Sequence, residues 1–259
     1  MDAVIEIDNV SWKRENKEIL SGVNWRVDQG QHWAILGLNG SGKTTLLNIL
    51  NGYIWPTKGT VSVLGERYGN VDLRELRKKI GWVSSSLQEK LYVRDLTQDV
   101  VISGKYASIG LYDKPTEEDR ERAIELMIQL GCEHLVGRPY NTCSQGEKQK
   151  TLIARALMAM PELLILDEAS NGLDFLSREN LLTSINQLAK QPNAPTILYV
   201  THHIEEILPV FSHTLFIRRG EVMMQGKTSE LLQSNPLSDF FETPVHVDWH
   251  QERAWLSVR

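Results

Sequence analysis

The stretch Gly37-Leu38-Asn39-Gly40-Ser41-Gly42-Lys43-Thr44 follows an apolar run, Trp33-Ala34-Ile35-Leu36, and precedes residues 46–50, whose apolar side chains have helical spacing. It fits the pattern G-x-x-x-x-G-K-[ST], in which backbone amides enclose phosphate groups. The apolar run predicts a strand that is buried on both faces. Because strand, glycine loop and helix are the context that this motif requires, the sequence predicts a phosphate-binding loop.

Each residue type in this loop suits phosphate chemistry. Glycine lets the backbone turn tightly and approach a phosphate closely, and the amides that follow Gly42 lie at a helix N-terminus, where anions are favoured. We expect the Lys43 ammonium to reach the β- and γ-phosphates of a nucleotide and the Thr44 hydroxyl to ligate Mg²⁺. The nucleotide-binding residues predicted from this segment are Gly37, Leu38, Asn39, Gly40, Ser41, Gly42, Lys43, Thr44 and Thr45.

Three later segments carry polar residues at predicted element boundaries. They are Cys143-Ser144-Gln145-Gly146-Glu147 at a helix start, Asp167-Glu168 after an apolar strand, and Thr201-His202 after another apolar strand. Together with the phosphate loop, and in this order, they resemble the nucleotide-binding domain of ABC-type ATPases, most closely the molybdate- and photorepair-associated single-cassette branch. The resemblance extends from about Val4 to about Leu232.

The resemblance implies an ATP hydrolase that uses Mg²⁺. The family's residue at the position of Asp167 supports Mg²⁺, and the residue at the position of Glu168 positions and polarises the attacking water. The family's histidine at the position of His202 contacts the γ-phosphate. We therefore expect Lys43, Glu168 and His202 to be catalytic, and Thr44 and Asp167 to bind Mg²⁺.

The segment around Ser144 matches the family's signature sequence only in part. Ser144 and Gly146 match, whereas Cys143, Gln145 and Glu147 stand where Leu, Gly and Gln are usual. The resemblance implies that Ser144 and Gly146 bind the phosphates of an ATP held by an opposing subunit, at a helix N-terminus. It therefore implies a homodimer or an ABC heterodimer with two sandwiched nucleotides. Glu147 suits the helix dipole but places an anion beside an anion.

Two other segments have counterparts in the family. Ser170-Asn171-Gly172-Leu173-Asp174 resembles the loop that connects the two sites across the dimer. Trp12 lies where family members place an aromatic ring against adenine, and a buried core tryptophan is the alternative interpretation.

The chain departs from the family after the predicted strand Ile80–Val83. Family members have Pro-Gln there, and the Gln reaches Mg²⁺, whereas this chain has Ser84-Ser85. Gln88 is the predicted substitute metal ligand because its amide oxygen can reach Mg²⁺ directly. The alternatives are Ser85 acting through a bridging water, and a plain surface loop that takes no part in catalysis.

Alternating strands and helices indicate the α/β class. We expect a P-loop NTPase with a RecA-like, mainly parallel sheet, an antiparallel β edge subdomain and a helical insert. Residues 1–259 would form one ABC ATPase domain, with the core and β subdomain at about 1–85 and 161–235, the helical subdomain at about 86–160 and a C-terminal extension at about 236–259. The helices predicted with bounds are Glu117–Leu130 with Thr116 as its cap, Gln145–Ala159, Ser177–Lys190 and Ile204–Leu208.

Short strands with β-branched residues predict pairings at both ends of the chain. Val4–Ile7 with Val23–Val27 predicts an edge hairpin, and Leu215–Ile217 with Val222–Met224 predicts another. The tail contains a period-two segment, Val245–Trp249, followed by Trp255. We expect a terminal strand and arm that pack on their own domain, and a partner contact is the alternative because exposed tryptophan is unusual without one.

Composition limits the class of protein. A net charge of −5 and a pI near 5.8 disfavour a globally basic nucleic-acid binder. Two cysteines, Cys132 and Cys143, are too few for a disulfide framework or a zinc site, and they indicate a reducing compartment. No signal-type start and no apolar run of about 20 residues is evident. We expect a cytoplasmic protein, peripheral to the inner face of the cell membrane where a membrane subunit is its partner.

The leading functional prediction is the cytosolic ATP-binding subunit of an ABC transporter, acting with an integral-membrane permease subunit. The alternative is a soluble ABC ATPase that acts on nucleic acid, ribosomes or repair complexes. The transported substrate is not readable from this chain, because that specificity would reside in the membrane partner.

Overall fold

The computed structural model describes residues 3–84, 94–106, 108, 110–112 and 114–258. The chain divides into two compact units. The first unit consists of residues 1–77 and 196–259, and the second unit consists of residues 78–195. Within the described ranges, no helix has both the length and the apolar character needed to cross a bilayer.

Strands and helices are numbered in chain order among the described residues. The strands are β1 (Ala3–Arg14), β2 (Lys17–Asp28), β3 (Trp33–Leu36), β4 (Lys58–Val63), β5 (Glu66–Arg67), β6 (Ile80–Val83), β7 (Leu163–Asp167), β8 (Thr196–Thr201), β9 (His213–Arg218), β10 (Glu221–Lys227), β11 (Val245–His250) and β12 (Arg253–Val258). The helices are α1 (Lys43–Leu50), α2 (Leu73–Lys78), α3 (Thr97–Ser103), α4 (Glu117–Gln129), α5 (Gln145–Met158), α6 (Phe175–Ala189), α7 (Thr228–Leu231) and α8 (Ser234–Phe241).

An antiparallel sheet in the first unit has the strand order β2-β1-β4-β5. Ile5 and Ile7 of β1 are buried and Glu6 between them is exposed, as expected for a strand with one buried face. Ile5 lies opposite Val27 on β2 and Val63 on β4. The predicted antiparallel pairing of β1 with β2 is confirmed, and its apolar face contributes to the core.

A second sheet in the first unit contains β3, the strand that leads into the phosphate loop. β3 is parallel to β8 and to β9, with Ile35 opposite Val200 and Leu215. All four residues of β3 are buried, as the continuous apolar run predicts. β10 pairs with β9 across Arg219 and Gly220, which both have positive φ, so the predicted hairpin is confirmed.

The second unit combines a parallel strand pair with helices. Val83 at the end of β6 lies opposite Leu166 on β7. Arg155 of α5 is buried and donates from Nε to Ser103 Oγ at 3.2 Å and from a terminal nitrogen to the Ser108 carbonyl at 2.9 Å. These bonds join α5 to α3 and the segment after it, so the guanidinium is satisfied inside the unit.

Helix α4 begins at the predicted cap. Thr116 accepts a hydrogen bond from the Asp119 amide at 3.2 Å, and the Asp119 carboxylate accepts one from the Thr116 amide at 3.1 Å. This reciprocal arrangement is a capping box. The helix ends at Gln129, one residue before the predicted end, and Gly131 follows at φ 64° as a stop signal.

The helix predicted at Ile204–Leu208 is wrong. The structure has a single 3₁₀ turn there, Ile204–Glu206, and Ile207 is extended with ψ 100°. Pro209 disfavours helical backbone at the residue before it. The predicted segment is also too short to offset the free-energy cost of helix nucleation.

Two other helices differ from their predicted bounds: helix α6 at both ends, since it also ends at Ala189 rather than Lys190, and helix α5 at one end. Helix α6 begins at Phe175 rather than Ser177, because the Asp174 carboxylate accepts the Ser177 amide and caps the helix two residues earlier. Helix α5 ends at Met158, one residue before the predicted end. Differences of this size are ordinary at helix ends, where the final turn frays.

The C-terminal tail is a hairpin, β11 with β12, rather than a single strand. It packs on the first unit, as expected. Val247 donates to Ser234 Oγ at 3.0 Å, and the Arg253 guanidinium donates from Nε to the Glu205 carbonyl at 2.8 Å. Trp249 and Trp255 remain 41% and 38% exposed.

Candidate nucleotide site

The phosphate loop joins β3 to α1 in the first unit. Gly42 precedes α1 and has φ 107°, a left-handed conformation that glycine adopts without a Cβ penalty. No side chain among the described residues caps α1. The start of this helix is therefore shaped by the backbone, and its N-terminal dipole favours an anion in the loop.

Lys43 lies over this loop. Its Nζ donates to the Gly37 carbonyl at 2.8 Å and to the Leu38 carbonyl at 3.3 Å, and only 6% of the residue is exposed. The loop thus holds a positive charge against its own backbone. Phosphate oxygens are stronger acceptors for an ammonium than neutral carbonyls, so the geometry suits exchange of these contacts for phosphate.

Close packing fixes the shape of the loop. A Cβ at Gly37 would lie 2.5 Å from Ser41 Oγ and 2.8 Å from the Ile217 carbonyl oxygen, so only glycine fits. The Gly220 amide in the β9–β10 turn donates to the Ser41 carbonyl at 2.8 Å, so this turn holds the loop in place. Ser41 Oγ is buried and has no hydrogen-bond partner within the described part of the chain. A phosphate oxygen would satisfy it, so the loop fits a nucleotide.

The remaining predicted loop residues differ in exposure. Leu38, Asn39 and Gly40 are exposed at the tip. Thr44 is exposed in the first turn of α1, and Thr45 is half-buried. The Thr44 hydroxyl is therefore accessible from solvent, as a Mg²⁺ ligand would have to be.

Trp12 is half-buried on β1, which excludes a fully buried core residue. It lies opposite Leu20 on β2, and Leu20 Cδ2 would be 2.8 Å from a Cβ at Gly42. Trp12 therefore pairs with a residue, Leu20, whose side chain packs beside Gly42 of the phosphate loop. By contrast, Trp25 in the core is 2% exposed.

His202 leaves the sheet at the same edge as the phosphate loop. Leu36, the last residue of β3, lies opposite Thr201, the last residue of β8. Because β3 and β8 are parallel, the segments that follow them start from neighbouring points. The half-buried His202 ring lies 4.1 Å from the His203 ring. The segments that carry His202 and the phosphate loop therefore leave from adjacent strand ends in the first unit.

Glu206 supports this segment and was missed from the sequence. It is 1% exposed, and its Oε2 accepts from Thr201 Oγ1 at 2.6 Å and from the Tyr199 hydroxyl at 3.0 Å. Thr201 Oγ1 in turn accepts the His203 amide at 3.0 Å. Through Thr201, Glu206 thus helps to fix the backbone at His203, the residue that follows His202. A carboxylate directly before the apolar pair Ile207-Leu208, shortly after a buried strand, is the signal that could have found it.

Asp167 and Glu168 belong to the second unit. Asp167 ends β7 and Glu168 follows with φ 51°, and both are half-buried. A positive φ is strained for a residue with a Cβ, and such strain concentrates at functional sites. The structure thus places both carboxylates at the carboxyl end of β7, where the sequence predicts them.

Ser144 begins α5 in the second unit with its own capping box. Ser144 Oγ accepts the Glu147 amide at 3.3 Å, and Glu147 Oε2 accepts the Ser144 amide at 2.7 Å. Glu147 Oε1 lies 3.0 Å from His134 Nε2 and 3.4 Å from a terminal nitrogen of Arg138. Burial raises the pKa of Glu147, but the hydrogen bonds from Ser144 and His134 and the Arg138 charge outweigh it, and the pKa is lowered.

Gly146 packs against the start of the next helix. A Cβ at Gly146 would lie 3.1 Å from Ser177 Cβ. Asp174, in the segment that resembles the family's dimer-connecting loop, accepts from the Ser177 amide at 3.0 Å and from the Ser177 hydroxyl at 2.6 Å. The hydrogen bonds from Ser177 hold the pKa of Asp174 below its usual range. Gly146 and this loop are therefore neighbours within the second unit.

Each unit carries its own part of the predicted site. Trp12, the phosphate loop and His202 belong to the first unit, and Ser144, Gly146, Asp167 and Glu168 belong to the second. Ser85 and Gln88 lie outside the described residues, so their roles stay predictions.

The residues proposed for Mg²⁺ offer a hydroxyl, Thr44, and a carboxylate, Asp167. Among the described residues, no group of three or more His, Cys, Asp or Glu side chains could hold a metal ion. Mg²⁺ commonly binds through one or two protein oxygens together with phosphates and waters. The chemistry of Thr44 and Asp167 therefore fits Mg²⁺ that is bound with a nucleotide.

Strand β3, the glycine loop and α1 with Lys43 over the loop define a P-loop nucleotide-binding protein. A family model described as "ABC transporter" matches residues 20–171. The chain is 53% identical over 255 residues to the uncharacterized ABC transporter ATP-binding protein YlmA of Bacillus subtilis, which covers 98% of this chain and 97% of YlmA. The chain belongs to the ABC transporter family, as an ATP-binding cassette of the ATPase class.

Two further comparisons agree. The chain is 32% identical over 214 residues to the ABC transporter ATP-binding protein ModF of Escherichia coli, which covers 82% of this chain and 44% of ModF. The dimeric post-hydrolysis structure of the cassette MJ0796 bound to ADP and Pi matches with a TM-score of 0.73 and 27% identity, over 86% of this chain and 98% of that chain. The predicted ABC cassette fold, ATP binding and ATPase class are confirmed.

Proposed function

We propose that this chain hydrolyses ATP with Mg²⁺ in a dimer, where each nucleotide lies between the phosphate loop of one subunit and Ser144 and Gly146 of the other. The observation that carries this proposal is the phosphate loop itself. Lys43 covers it, the hydroxyl of Ser41 is buried without a partner in the described residues, and α1 begins without a side-chain cap. The dimeric relative bound to ADP and Pi supports the sandwich.

The side chains divide the chemical work. Lys43 compensates charge on the β- and γ-phosphates, and His202 contacts the γ-phosphate from the neighbouring strand end. Glu168 orients the attacking water and accepts its proton as the water attacks in line. Thr44 and Asp167 would hold Mg²⁺, which neutralises phosphate charge when it is bound. Trp12 stacks on the adenine ring.

We propose further that the cassette acts at the cytoplasmic face of a membrane, with a separate integral-membrane permease subunit as its partner. The family description and the names of the relatives support this role. Purification of the native protein from membrane and soluble fractions tests it. A stable integral-membrane partner would support transport, and recovery with ribosomes or DNA instead would contradict it.

Substitution of Glu168 tests the enzymatic proposal. Glu168→Gln should retain ATP binding and block water activation, so ATP with Mg²⁺ should accumulate a dimer that is detectable by sizing or light scattering. Glu162→Gln is the matched control, because Glu162 is an exposed carboxylate of the same unit. Hydrolysis by Glu168→Gln at the rate of the control would contradict the role of Glu168.

The missing glutamine after β6 has its own test. We propose that Gln88 provides the amide oxygen for Mg²⁺, and that Ser85 would need an intervening water to do the same. Steady-state ATPase of Gln88→Ala and Ser85→Ala at saturating Mg²⁺ separates the two. A fall in rate for Gln88→Ala alone supports direct ligation, and a fall for Ser85→Ala alone supports the water bridge.

A further inference from the structure

The anion at position 147 is held by a set of contacts that the sequence does not reveal. Glu147 Oε2 accepts the Ser144 amide at 2.7 Å, and Oε1 lies 3.0 Å from His134 Nε2 and 3.4 Å from the Arg138 guanidinium. The Glu147 side chain is only 23% exposed. Its carboxylate is therefore turned back toward the start of α5, and both of its oxygens are engaged.

Arg138 also fixes the segment that leads into the signature. A terminal nitrogen of Arg138 donates to the Thr142 carbonyl at 2.9 Å, two residues before Ser144. The guanidinium fork thus binds Glu147 and the incoming backbone at once, a geometry that lysine cannot reproduce. We call these contacts of Arg138 with Glu147 and the Thr142 carbonyl the clamp. The Arg138 side chain is 40% exposed, so the clamp lies near the surface.

The charges decide what this clamp can do. A carboxylate beside a phosphate-binding helix start repels an incoming phosphate. The positive charge of Arg138 compensates the carboxylate at short range, and His134 adds a second hydrogen bond to the same oxygen. With Glu147 held back in this way, Ser144 can meet an anion despite the glutamate.

We propose that Arg138 is a positioning residue for the signature segment. Assisted by His134, it holds and neutralises Glu147, so that the Ser144 hydroxyl can donate to the phosphates of ATP bound by a second copy of this chain. This inference rests on the proposed nucleotide-sandwich dimer. It explains how a chain with Glu at this position closes on a nucleotide.

A double-mutant cycle in the Glu168→Gln background tests the inference. The dimer dissociation constant is measured with saturating ATP and Mg²⁺ by analytical ultracentrifugation. Arg138→Ala should raise it about tenfold, because the glutamate is left uncompensated. Glu147→Gln should lower it slightly, and Arg138→Ala with Glu147→Gln should return within about twofold of Glu147→Gln alone. Arg122→Ala is the matched control, because Arg122 forms an exposed ion pair with Glu125 in the same unit and should change nothing.

Rescue by Glu147→Gln separates charge compensation from a merely structural role. If Arg138→Ala weakens the dimer equally with and without Glu147→Gln, Arg138 only stabilises the loop and the inference is overturned. An unchanged dimer in Arg138→Ala overturns it as well.

Failure of the parent variant, Glu168→Gln, to dimerise would have a different meaning. If Glu168→Gln does not dimerise although it binds ATP, the proposed sandwich is wrong and the role of Arg138 in closure falls with it. If the parent dimerises and the cycle shows no rescue, the inference alone is wrong.

Discussion

Helices α1 and α5 both begin at a predicted phosphate contact, but their first turns are built differently. At α1, Gly42 at φ 107° makes the turn and no described side chain caps the helix. At α5, the side chains of Ser144 and Glu147 each accept a hydrogen bond from the other's backbone amide, which forms a capping box. One start is a backbone cradle with a built-in cation, and the other is a side-chain cap with a built-in anion.

The difference matches two tasks. A loop that must hold a nucleotide in the separate subunit gains from a charge already in place, and Lys43 provides it. A helix start that meets the nucleotide only in a dimer must stay stable while it is open to water, and a capping box satisfies its amides meanwhile. In this account, binding resides in the first helix start and closure in the second.

Lys43→Ala should have the largest effect of the substitutions at the two helix starts. Loss of the ammonium removes the positive charge of the loop, and we expect ATP hydrolysis to fall about 100-fold or more. The fold should persist, because no core side chain is removed. Lys58→Ala, an exposed lysine of the same unit, is the control. An undiminished rate in Lys43→Ala, measured by phosphate release, would contradict the assignment of the loop.

Ser144→Ala should reduce hydrolysis about tenfold while ATP binding to the separate subunit is retained, because we propose that Ser144 contacts the nucleotide only in the dimer. Thr116→Ala is a matched control, since Thr116 begins α4 with the same kind of box in the same unit. Each substitution should lower the free energy of unfolding by about 1 kcal/mol. Equal effects of both variants on ATPase would show that Ser144 is an ordinary cap.

Gly146→Ala should have a smaller effect. The new Cβ would stand 3.1 Å from Ser177 Cβ, so α5 or α6 must shift by a few tenths of an ångström. We expect hydrolysis to fall about threefold to fivefold through misplacement of Ser144. Ser177→Gly in the same chain should restore the rate, because it removes the opposing Cβ. Failure of this rescue would place the effect of Gly146→Ala elsewhere.

Acid should weaken the capping box at the start of helix α4, because the Asp119 carboxylate takes part in it. The hydrogen bond from Lys105 lowers the pKa of Asp119 to about 2, and bonds from Thr116 act in the same direction. Because the folded pKa lies below the ordinary value, this carboxylate stabilises the fold above about pH 4 and loses that contribution as the pH falls toward 2. Asp119→Asn should therefore lower the urea midpoint at pH 7, and its difference from the parent should shrink at pH 2.5. A constant difference would contradict this linkage.

Residues near one another in sequence were predictable, and residues that meet through tertiary structure were not. The phosphate loop was predicted because its turn requires glycines at fixed spacing, as the clash at Gly37 illustrates. The Arg138 contact with Glu147 was missed because it joins a loop to a helix start nine residues away, where no periodic pattern applies. The helix at Ile204–Leu208 was predicted wrongly because Pro209 and the buried Glu206 outweigh its apolar spacing.

A mixture of two inactive variants tests whether one nucleotide is shared by the phosphate loop of one copy and the signature segment of another. Lys43→Ala and Ser144→Arg should each be inactive alone. In an equal mixture, half of the dimers contain one chain of each kind, and each mixed dimer has one intact composite site. We expect recovery to about a quarter of the wild-type rate. No recovery above the separate variants, or full activity of Ser144→Arg alone, would contradict it.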